Sequence, residues 1–126
     1  MKWNILIVDD SNVVKAVLIK ALTDSGAPIN KIFDASNGKD ALVILKSSKI
    51  DILFTDINMP VMNGIELVKN ISQDPDLNGI PIIIISTDGS TDRMEHLKEN
   101  GVRAYIRKPF TPEQIRKAVR EVMLGR

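Results

Sequence analysis

The 126-residue chain contains no cysteine, which excludes disulfides and thiolate metal sites. A reducing cytoplasm is therefore the expected compartment. No apolar run approaches the roughly 18–20 residues that a membrane-spanning helix requires. The N-terminus enters a strand-like pattern at once and lacks the design of a signal peptide. These absences predict an intracellular domain with no membrane contact.

Strong net charge is also missing, since the formal net charge is only +1. This value is too small to indicate nucleic-acid binding. Residues 91–126 nevertheless hold nine Lys and Arg against five Asp and Glu. Either a solvated helix surface or a basic face for an acidic protein partner would account for this excess. Neither Gly-x-x-x-x-Gly-Lys-Ser/Thr nor Gly-x-Gly-x-x-Gly occurs, so a nucleotide is not implied.

The sequence alternates five times between a short apolar run and a helical pattern, which predicts one domain over residues 1–126. The predicted strands are Ile5–Val8, Lys31–Ala35, the run that ends at Asp56, Ile82–Ile85 and Ala104–Arg107. Strict alternation with short connections favours a doubly wound α/β fold, a three-layer (βα)5 sandwich with a parallel sheet. Because Lys31–Ala35 is half-polar, it belongs at an edge, which fits the strand order 2-1-3-4-5 of flavodoxin-like folds.

The helices are predicted from their apolar stripes. In the first helix, capped by Asp10 or Ser11, we expect a buried stripe of Val14, Val17, Leu18, Ala21 and Leu22. The fourth, near residues 91–100, has a thin stripe of Met94 and Leu97, so it is expected to be the most mobile. The last begins with Thr111-Pro112-Glu113-Gln114, in which Thr caps the helix and Gln lies three residues later.

Four of the five predicted strands end in polar side chains, namely Asp9-Asp10, Asp56, Ser86 and Lys108. Each alone is a common turn residue, but the carboxyl ends of neighbouring parallel strands share one edge, where such sheets bind their ligands. Three clustered carboxylates repel one another unless a cation intervenes, and the lone His96 lies elsewhere in the pattern. Oxygen ligands suit a hard cation, Mg²⁺ more than Zn²⁺. A carboxylate beside Mg²⁺, a lysine and a hydroxyl is suited to accept a phosphoryl group.

The same residues carry a family resemblance that covers essentially the whole chain. Asp9-Asp10, Asp56-x-x-Met59-Pro60 followed by Gly64, Ser86 and Lys108-Pro109-Phe110 resemble the receiver domain of two-component response regulators, the CheY-like fold. The resemblance implies that Asp56 is phosphorylated by a histidine kinase, a phosphotransfer protein or a small phosphodonor. The domain would then be a phosphorylation switch that catalyses only its own phosphorylation and dephosphorylation.

The resemblance also implies individual roles. Asp10, Asp56 and the backbone carbonyl of Asn58 would ligate Mg²⁺, with Mn²⁺ as an alternative ion, and Asp9 would act through water. Ser86 would hydrogen-bond the phosphoryl group, Lys108 would pair with it, and Lys108-Pro109 would be a cis peptide. Tyr105 matches the aromatic switch position, with a half-buried strand aromatic as the alternative interpretation.

Two features depart from the commonest family pattern. Ser86 stands where Thr is more usual, which removes a methyl group and keeps the hydroxyl. Thr87 is bulkier than the Ala often found there, and with Asp88 beside it we hypothesise restricted access and an altered lifetime of the phosphorylated state.

The output would be a changed protein-binding surface formed by helix 4, strand 5 and helix 5, with Arg103, Lys117 and Arg120 contributing basic charge. A phosphorylation-dependent dimer through this surface remains open, as does the choice between a stand-alone regulator and part of a longer protein. Two other functions compete. One is a phosphatase of the haloacid-dehalogenase type, disfavoured because Asn58 replaces its second aspartate, and the other is a phosphate-independent binding module.

Overall fold

The computed structural model describes residues 2–87 and 91–124 and contains ten elements in strict alternation. The strands are β1 (Trp3–Val8), β2 (Ile29–Ala35), β3 (Ile52–Thr55), β4 (Ile82–Ser86) and β5 (Val102–Arg107). The helices are α1 (Asn12–Asp24), α2 (Gly38–Ser47), α3 (Gly64–Ser72), α4 (Thr91–Glu99) and α5 (Pro112–Leu124). Among the described residues, no helix has the length and apolar character needed to cross a bilayer.

All strand pairs are parallel, and the order is β2-β1-β3-β4-β5, so the predicted architecture is confirmed. β3 lies at the centre, and its residues are buried because helices cover both faces of the sheet. Strand β2 lies at an edge, as predicted, but begins two residues earlier, at Ile29. The sheet order places the carboxyl ends of β1, β3, β4 and β5 beside one another.

Two hydrophobic clusters hold the layers together, one on each face of the sheet. Side chains that alternate along β4 show the division, since Ile82 and Ile84 join α2, α3 and α4 while Ile83 and Ile85 join α1 and α5. On α5 the buried residues are Ile115, Ala118, Val119 and Val122, and Ile115 is fully buried. Each fully buried aliphatic side chain stabilises the fold by about 2 kcal/mol relative to exposure.

Helix α1 departs from the prediction at two positions of its stripe, and at the first of them, Val14, the side chain is only partly buried. Leu18 and Leu22 are buried as expected, but Val17 is 46% exposed. Lys15 is buried instead, because its Nζ lies 3.0 Å from Asp34 Oδ2 and 3.1 Å from Ser36 Oγ. The ion pair with β2 explains why a charged residue covers part of this side of the helix.

The predicted helix caps are present where the structure describes them. Ser11, one of the two candidates, caps α1 by accepting from the Val14 amide. Thr111 and Gln114 bond reciprocally at the start of α5. In α4, Leu97 is buried and Met94 is partly buried, so the thin stripe is confirmed, while the mobility of this helix stays a prediction.

The loop between β3 and α3 contains one backbone conformation that valine rarely adopts. Val61 has φ of 67°, and its neighbours close a γ-turn in which the Met62 amide donates to the Pro60 carbonyl at 2.7 Å. A β-branched residue with positive φ is strained by its own Cβ substituents. The Val61 side chain is 75% exposed, so little packing offsets this strain.

We therefore expect Val61→Gly to raise the free energy of unfolding by about 1 kcal/mol, because glycine accepts positive φ. Urea unfolding of both proteins measures the change. Val43→Gly is a matched control, since Val43 is 63% exposed but lies in the middle of α2. The control should lose about 1 kcal/mol. Equal losses in the two variants would contradict strain at Val61.

Candidate phosphoacceptor and metal site

The candidate site lies at the carboxyl edge of the sheet, where four strands end. Asp9 and Asp10 follow β1, Asp56 follows β3, Ser86 closes β4 and Lys108 follows β5. One carboxylate oxygen from each of the three aspartates lies within 4.8 Å of the others. The structure thus brings together the acidic residues that the sequence suggested, and Lys108 joins them.

Lys108 supplies the positive charge within this cluster. Its Nζ donates to Asp9 Oδ2 at 2.8 Å and lies 3.4 Å from Asp56 Oδ2. Asp9 is only 1% exposed and Asp56 only 7%, whereas Asp10 is exposed to solvent. Two buried carboxylates therefore share one ammonium group, and the third carboxylate lies at the rim.

Backbone amides fix the orientation of both buried carboxylates. Asp9 Oδ1 accepts from the Ser11 amide, and Asp56 Oδ1 accepts from the Ile57 amide, each at 2.8 Å. For each aspartate, the other oxygen, Oδ2, faces Lys108. A buried hydrogen-bonded carboxylate has little rotational freedom, so these groups are already oriented toward a common point.

Burial raises the pKa of the Asp56 carboxyl above its usual value, and the charge of Asp9 acts in the same direction. The ammonium of Lys108 and the Ile57 amide lower this pKa but do not outweigh those effects. Burial alone would lower the pKa of Lys108, but its hydrogen bond to Asp9 and the charges of both aspartates raise it overall. The ammonium group of Lys108 therefore does not fully compensate the negative charge of the buried Asp9 and Asp56 carboxylates.

The charge balance and the donor set fit a divalent hard cation. Three carboxylates against one ammonium group leave an excess of two negative charges within the cluster. The candidate ligands are carboxylate oxygens, which Mg²⁺ prefers to nitrogen or sulfur donors. Asn58 is exposed two residues after Asp56, and the role of its carbonyl stays a prediction. The residues present therefore fit Mg²⁺.

Gly64 keeps the loop after Asp56 close to the strand, a role that sequence reasoning noted only as part of a motif. Its amide donates to the Ile57 carbonyl at 2.8 Å, and a Cβ at this position would overlap the backbone carbonyl oxygen of Asp56. The adjoining start of α3 has a capping box formed by Asn63 and Glu66. An Asn followed three residues later by Glu could have predicted this cap.

The candidate switch residues lie on one face of β4 and β5. Ser86 is fully buried, and side-chain alternation places it on the same face as Ile84. Tyr105 pairs in register with Ile84 and packs half-buried against the cluster on that face. The Lys108 amide donates to the Ser86 carbonyl at 2.9 Å, and the Lys108–Pro109 peptide is cis, as expected. The ends of the two strands are thus linked directly.

Thr87 is exposed beside this site and lines a cavity of about 320 Å³ together with Lys108 and Phe110. Its position next to Lys108 is compatible with an effect on access, but the predicted effect on lifetime stays a prediction. The accompanying Asp88 lies outside the described residues.

Comparisons with known proteins identify the family of the chain. The family model for the response regulator receiver domain matches residues 5–120. The chain therefore belongs to the response regulator receiver domain family, and the resemblance seen in the sequence is confirmed.

Curated relatives and solved structures cover nearly the whole chain. Chemotaxis protein CheY1 of Helicobacter pylori is 38% identical over 122 residues, which are 96% of each chain. The CheY homolog of Campylobacter jejuni is 34% identical over 94% of this chain and 91% of its own. The structure of CheY4 from Vibrio cholerae has a TM-score of 0.86 at 30% identity and covers 97% of this chain and 99% of its own. The phosphorylated cyanobacterial phytochrome response regulator RcpA has a TM-score of 0.82 at 26% identity, with coverage of 97% and 91%.

We predict that Gly64→Ala destabilises the fold by about 2 kcal/mol, because the added methyl group must displace the backbone at Asp56. Urea unfolding measures the loss, and isothermal titration should also show weaker Mg²⁺ binding. Gly79→Ala is the matched control, since a Cβ there has no atom within 4 Å. Similar stability of both variants would contradict the close approach of Gly64 to Asp56.

The raised pKa of Asp56 predicts that its ionised carboxylate destabilises the metal-free fold. When the folded-state pKa of a carboxyl lies above its unfolded-state pKa, its contribution to the free energy of unfolding is largest below the unfolded-state pKa. This contribution is lost as the pH rises through the folded-state pKa. Asp56→Asn should therefore have a higher thermal midpoint than wild type at pH 7 in chelator. The difference should shrink as pH falls toward the ordinary aspartate value of 3.8.

Thermal unfolding in EDTA from pH 4 to pH 8 tests this expectation. Asp76→Asn, which neutralises an exposed carboxylate, controls for the change in net charge. A wild-type protein more stable than Asp56→Asn at pH 7 without metal would show that Lys108 more than compensates the burial of Asp56.

Proposed function

We propose that this protein is a signalling switch that accepts a phosphoryl group on Asp56. One observation carries the proposal: the Asp56 carboxylate is nearly buried, lies 3.4 Å from Lys108 Nζ and clusters with Asp9 and Asp10. A structural turn aspartate would not need a buried ammonium group and two further carboxylates around it. Family membership supports the same conclusion.

In the proposed reaction, one Asp56 carboxylate oxygen forms a bond to phosphorus while the bond from phosphorus to the donor breaks. The donor is a histidine kinase, a phosphotransfer protein or a small acyl phosphate, and its leaving group departs with the bonding electron pair. Lys108 stabilises the negative charge of the equatorial oxygens. Mg²⁺, held by Asp10, Asp56 and the Asn58 carbonyl with Asp9 nearby, would supply further neutralisation of that charge.

The remaining residues would convert phosphorylation into a change of shape. The Ser86 hydroxyl would donate to the phosphoryl group, and Tyr105 on the same sheet face would respond to the displacement at the end of β4. Because Ser86 and Lys108 are joined by a backbone hydrogen bond, both strand ends would adjust together. The surface formed by α4, β5 and α5 would then change its affinity for a protein effector.

We treat residues 1–126 as one receiver domain that works in the cytoplasm without contacting nucleic acid or membrane. The basic residues Arg103, Lys117 and Arg120 are exposed, as a surface for an acidic partner requires. Dimerisation through the same surface remains a separate hypothesis, which sedimentation of the phosphorylated protein would test.

Incubation with acetyl phosphate and Mg²⁺, followed by intact mass spectrometry, tests the phosphoacceptor. Wild type should gain a single phosphoryl adduct. Chelator added before the donor should prevent the adduct from forming. Asp56→Asn should gain none, because an amide is not nucleophilic enough to replace the carboxylate. Asp76→Asn, changed at an exposed site away from the cluster, should be phosphorylated like wild type.

Lys108→Met separates the roles of the lysine and the metal ligands. This variant should still bind Mg²⁺ but should be phosphorylated at least about tenfold more slowly, because one charged hydrogen-bond donor is lost. An adduct retained in Asp56→Asn would place phosphorylation on another residue and contradict the proposal. No adduct with any donor would favour the phosphate-independent binding module instead.

A further inference from the structure

Lys15 of α1 is a buried charged residue that the proposed phosphoryl transfer does not use. Its side chain is only 8% exposed, and its Nζ lies 3.0 Å from Asp34 Oδ2 and 3.1 Å from Ser36 Oγ. Burial of an ammonium group is unfavourable unless its partners stay in place. Ser36 is the first residue after β2, so these contacts tie α1 to the β2–α2 turn, which comprises residues 36–38.

The β2–α2 turn is held on both sides by backbone hydrogen bonds. Just before it, the Ala35 carbonyl accepts from the Asp9 amide at 3.1 Å. At its end, the Gly38 amide donates to the Met62 carbonyl at 2.9 Å. A Cβ on Gly38 would lie 2.8 Å from Met62 Cγ and 2.9 Å from the Met62 carbonyl oxygen. The turn therefore holds Met62 by a hydrogen bond and by a close contact that only glycine permits.

Met62 belongs to the β3–α3 loop, which also contains Asn58. Within this loop the Ile57 carbonyl accepts from the Gly64 amide at 2.8 Å, and the Met62 amide donates to the Pro60 carbonyl at 2.7 Å. Asn58 is exposed and lies between the two carbonyls that accept these bonds. The position of its own carbonyl therefore follows from how the rest of the loop is held.

The β3–α3 loop also contains strain that favours relaxation. Val61, with φ of 67°, directly precedes Met62. A strained conformation persists only where its surroundings fix it. The hydrogen bond from Gly38 to Met62 restrains this part of the loop from a different segment of the chain. Displacement of Met62 would therefore allow the loop to relax and would move the carbonyl of residue 58.

We propose that the β2–α2 turn, anchored by Lys15, positions the Asn58 carbonyl for Mg²⁺, so that Lys15 and Gly38 are positioning residues of the metal site. This role rests on the proposed function, because it requires Mg²⁺ to bind beside Asp56. Neither positioning residue touches the ion. Residues that orient metal ligands typically change metal affinity by about 10–100-fold when they are altered.

Lys15→Met tests the anchor, because methionine keeps a long side chain and removes the ammonium group. Isothermal titration should show Mg²⁺ binding about tenfold weaker than in wild type. Removal of a positive charge would by itself favour a cation, so weaker binding reports displaced ligands rather than net charge. Lys20→Met is the matched control, since Lys20 is 80% exposed on the same helix and pairs with Asp24. Unchanged or tighter binding by Lys15→Met would overturn the proposal.

A comparison of two ions separates positioning from a general loss of structure. Mg²⁺ requires nearly ideal octahedral geometry, whereas Ca²⁺ tolerates flexible ligand sets. Lys15→Met and Gly38→Ala should therefore lose about tenfold in affinity for Mg²⁺ but less than about threefold for Ca²⁺. Val122→Ala, which truncates a buried residue of α5, controls for lower stability and should bind both ions like wild type. Equal losses for the two ions in Lys15→Met and Gly38→Ala would contradict the positioning role.

Two further results distinguish this proposal from the proposed function. Absence of Mg²⁺ binding in wild type would contradict the metal site and this role together, whereas equal binding in wild type, Lys15→Met and Gly38→Ala would overturn this role alone. Hydrogen exchange of the Gly38 amide without metal gives an independent measurement. Exchange should be about tenfold faster in Lys15→Met than in wild type and Lys20→Met. Equal exchange rates would show that Lys15 does not anchor the turn.

Discussion

The shared ion pair of Lys108 with Asp9 and Asp56 is the constraint on which the rest of the site depends. Two nearly buried carboxylates and one ammonium group lie in a medium of lower dielectric than water, where uncompensated charge is costly. Such a cluster persists only if the surrounding backbone holds its members at fixed positions. The raised pKa of Asp56 shows that the compensation is incomplete. An added cation would therefore stabilise the folded state as well as enable chemistry.

The sheet supplies the rigidity that this cluster needs. The Asp9 amide donates to the Ala35 carbonyl, the Asp56 amide to the Val8 carbonyl and the Lys108 amide to the Ser86 carbonyl, all between 2.9 and 3.1 Å. Each charged residue is thus anchored by its own main chain to the neighbouring strand. A buried apolar layer on each face prevents the strands from separating. The charged side chains of the site are therefore held in place by the apolar layers on the two faces of the sheet.

The fold could be predicted from the sequence because it follows from local patterns. Each of these patterns spans only a few residues. Examples are the apolar runs that end in Asp56 and Ser86 and the capping signature at Thr111. The features that sequence reasoning missed depend on contacts between distant segments. Lys15 of α1 is buried while Val17 is exposed, and Lys15 is neutralised by Asp34 on strand β2. The positive φ of Val61 likewise arises only when separate elements pack together.

The site residues were predictable as a set, but their mutual arrangement was not. Lys108 was expected to pair with a phosphoryl group, and in the structure it lies closer to Asp9, at 2.8 Å, than to Asp56, at 3.4 Å. Under the proposed function, a phosphoryl group on Asp56 would compete with Asp9 for this ammonium. Because the Lys108 amide is bonded to the Ser86 carbonyl, redistribution of that charge acts on β4 and β5 together. If Asp56 is the phosphoacceptor as proposed, the electrostatic imbalance of the site would give phosphorylation a direct physical route to the proposed output surface.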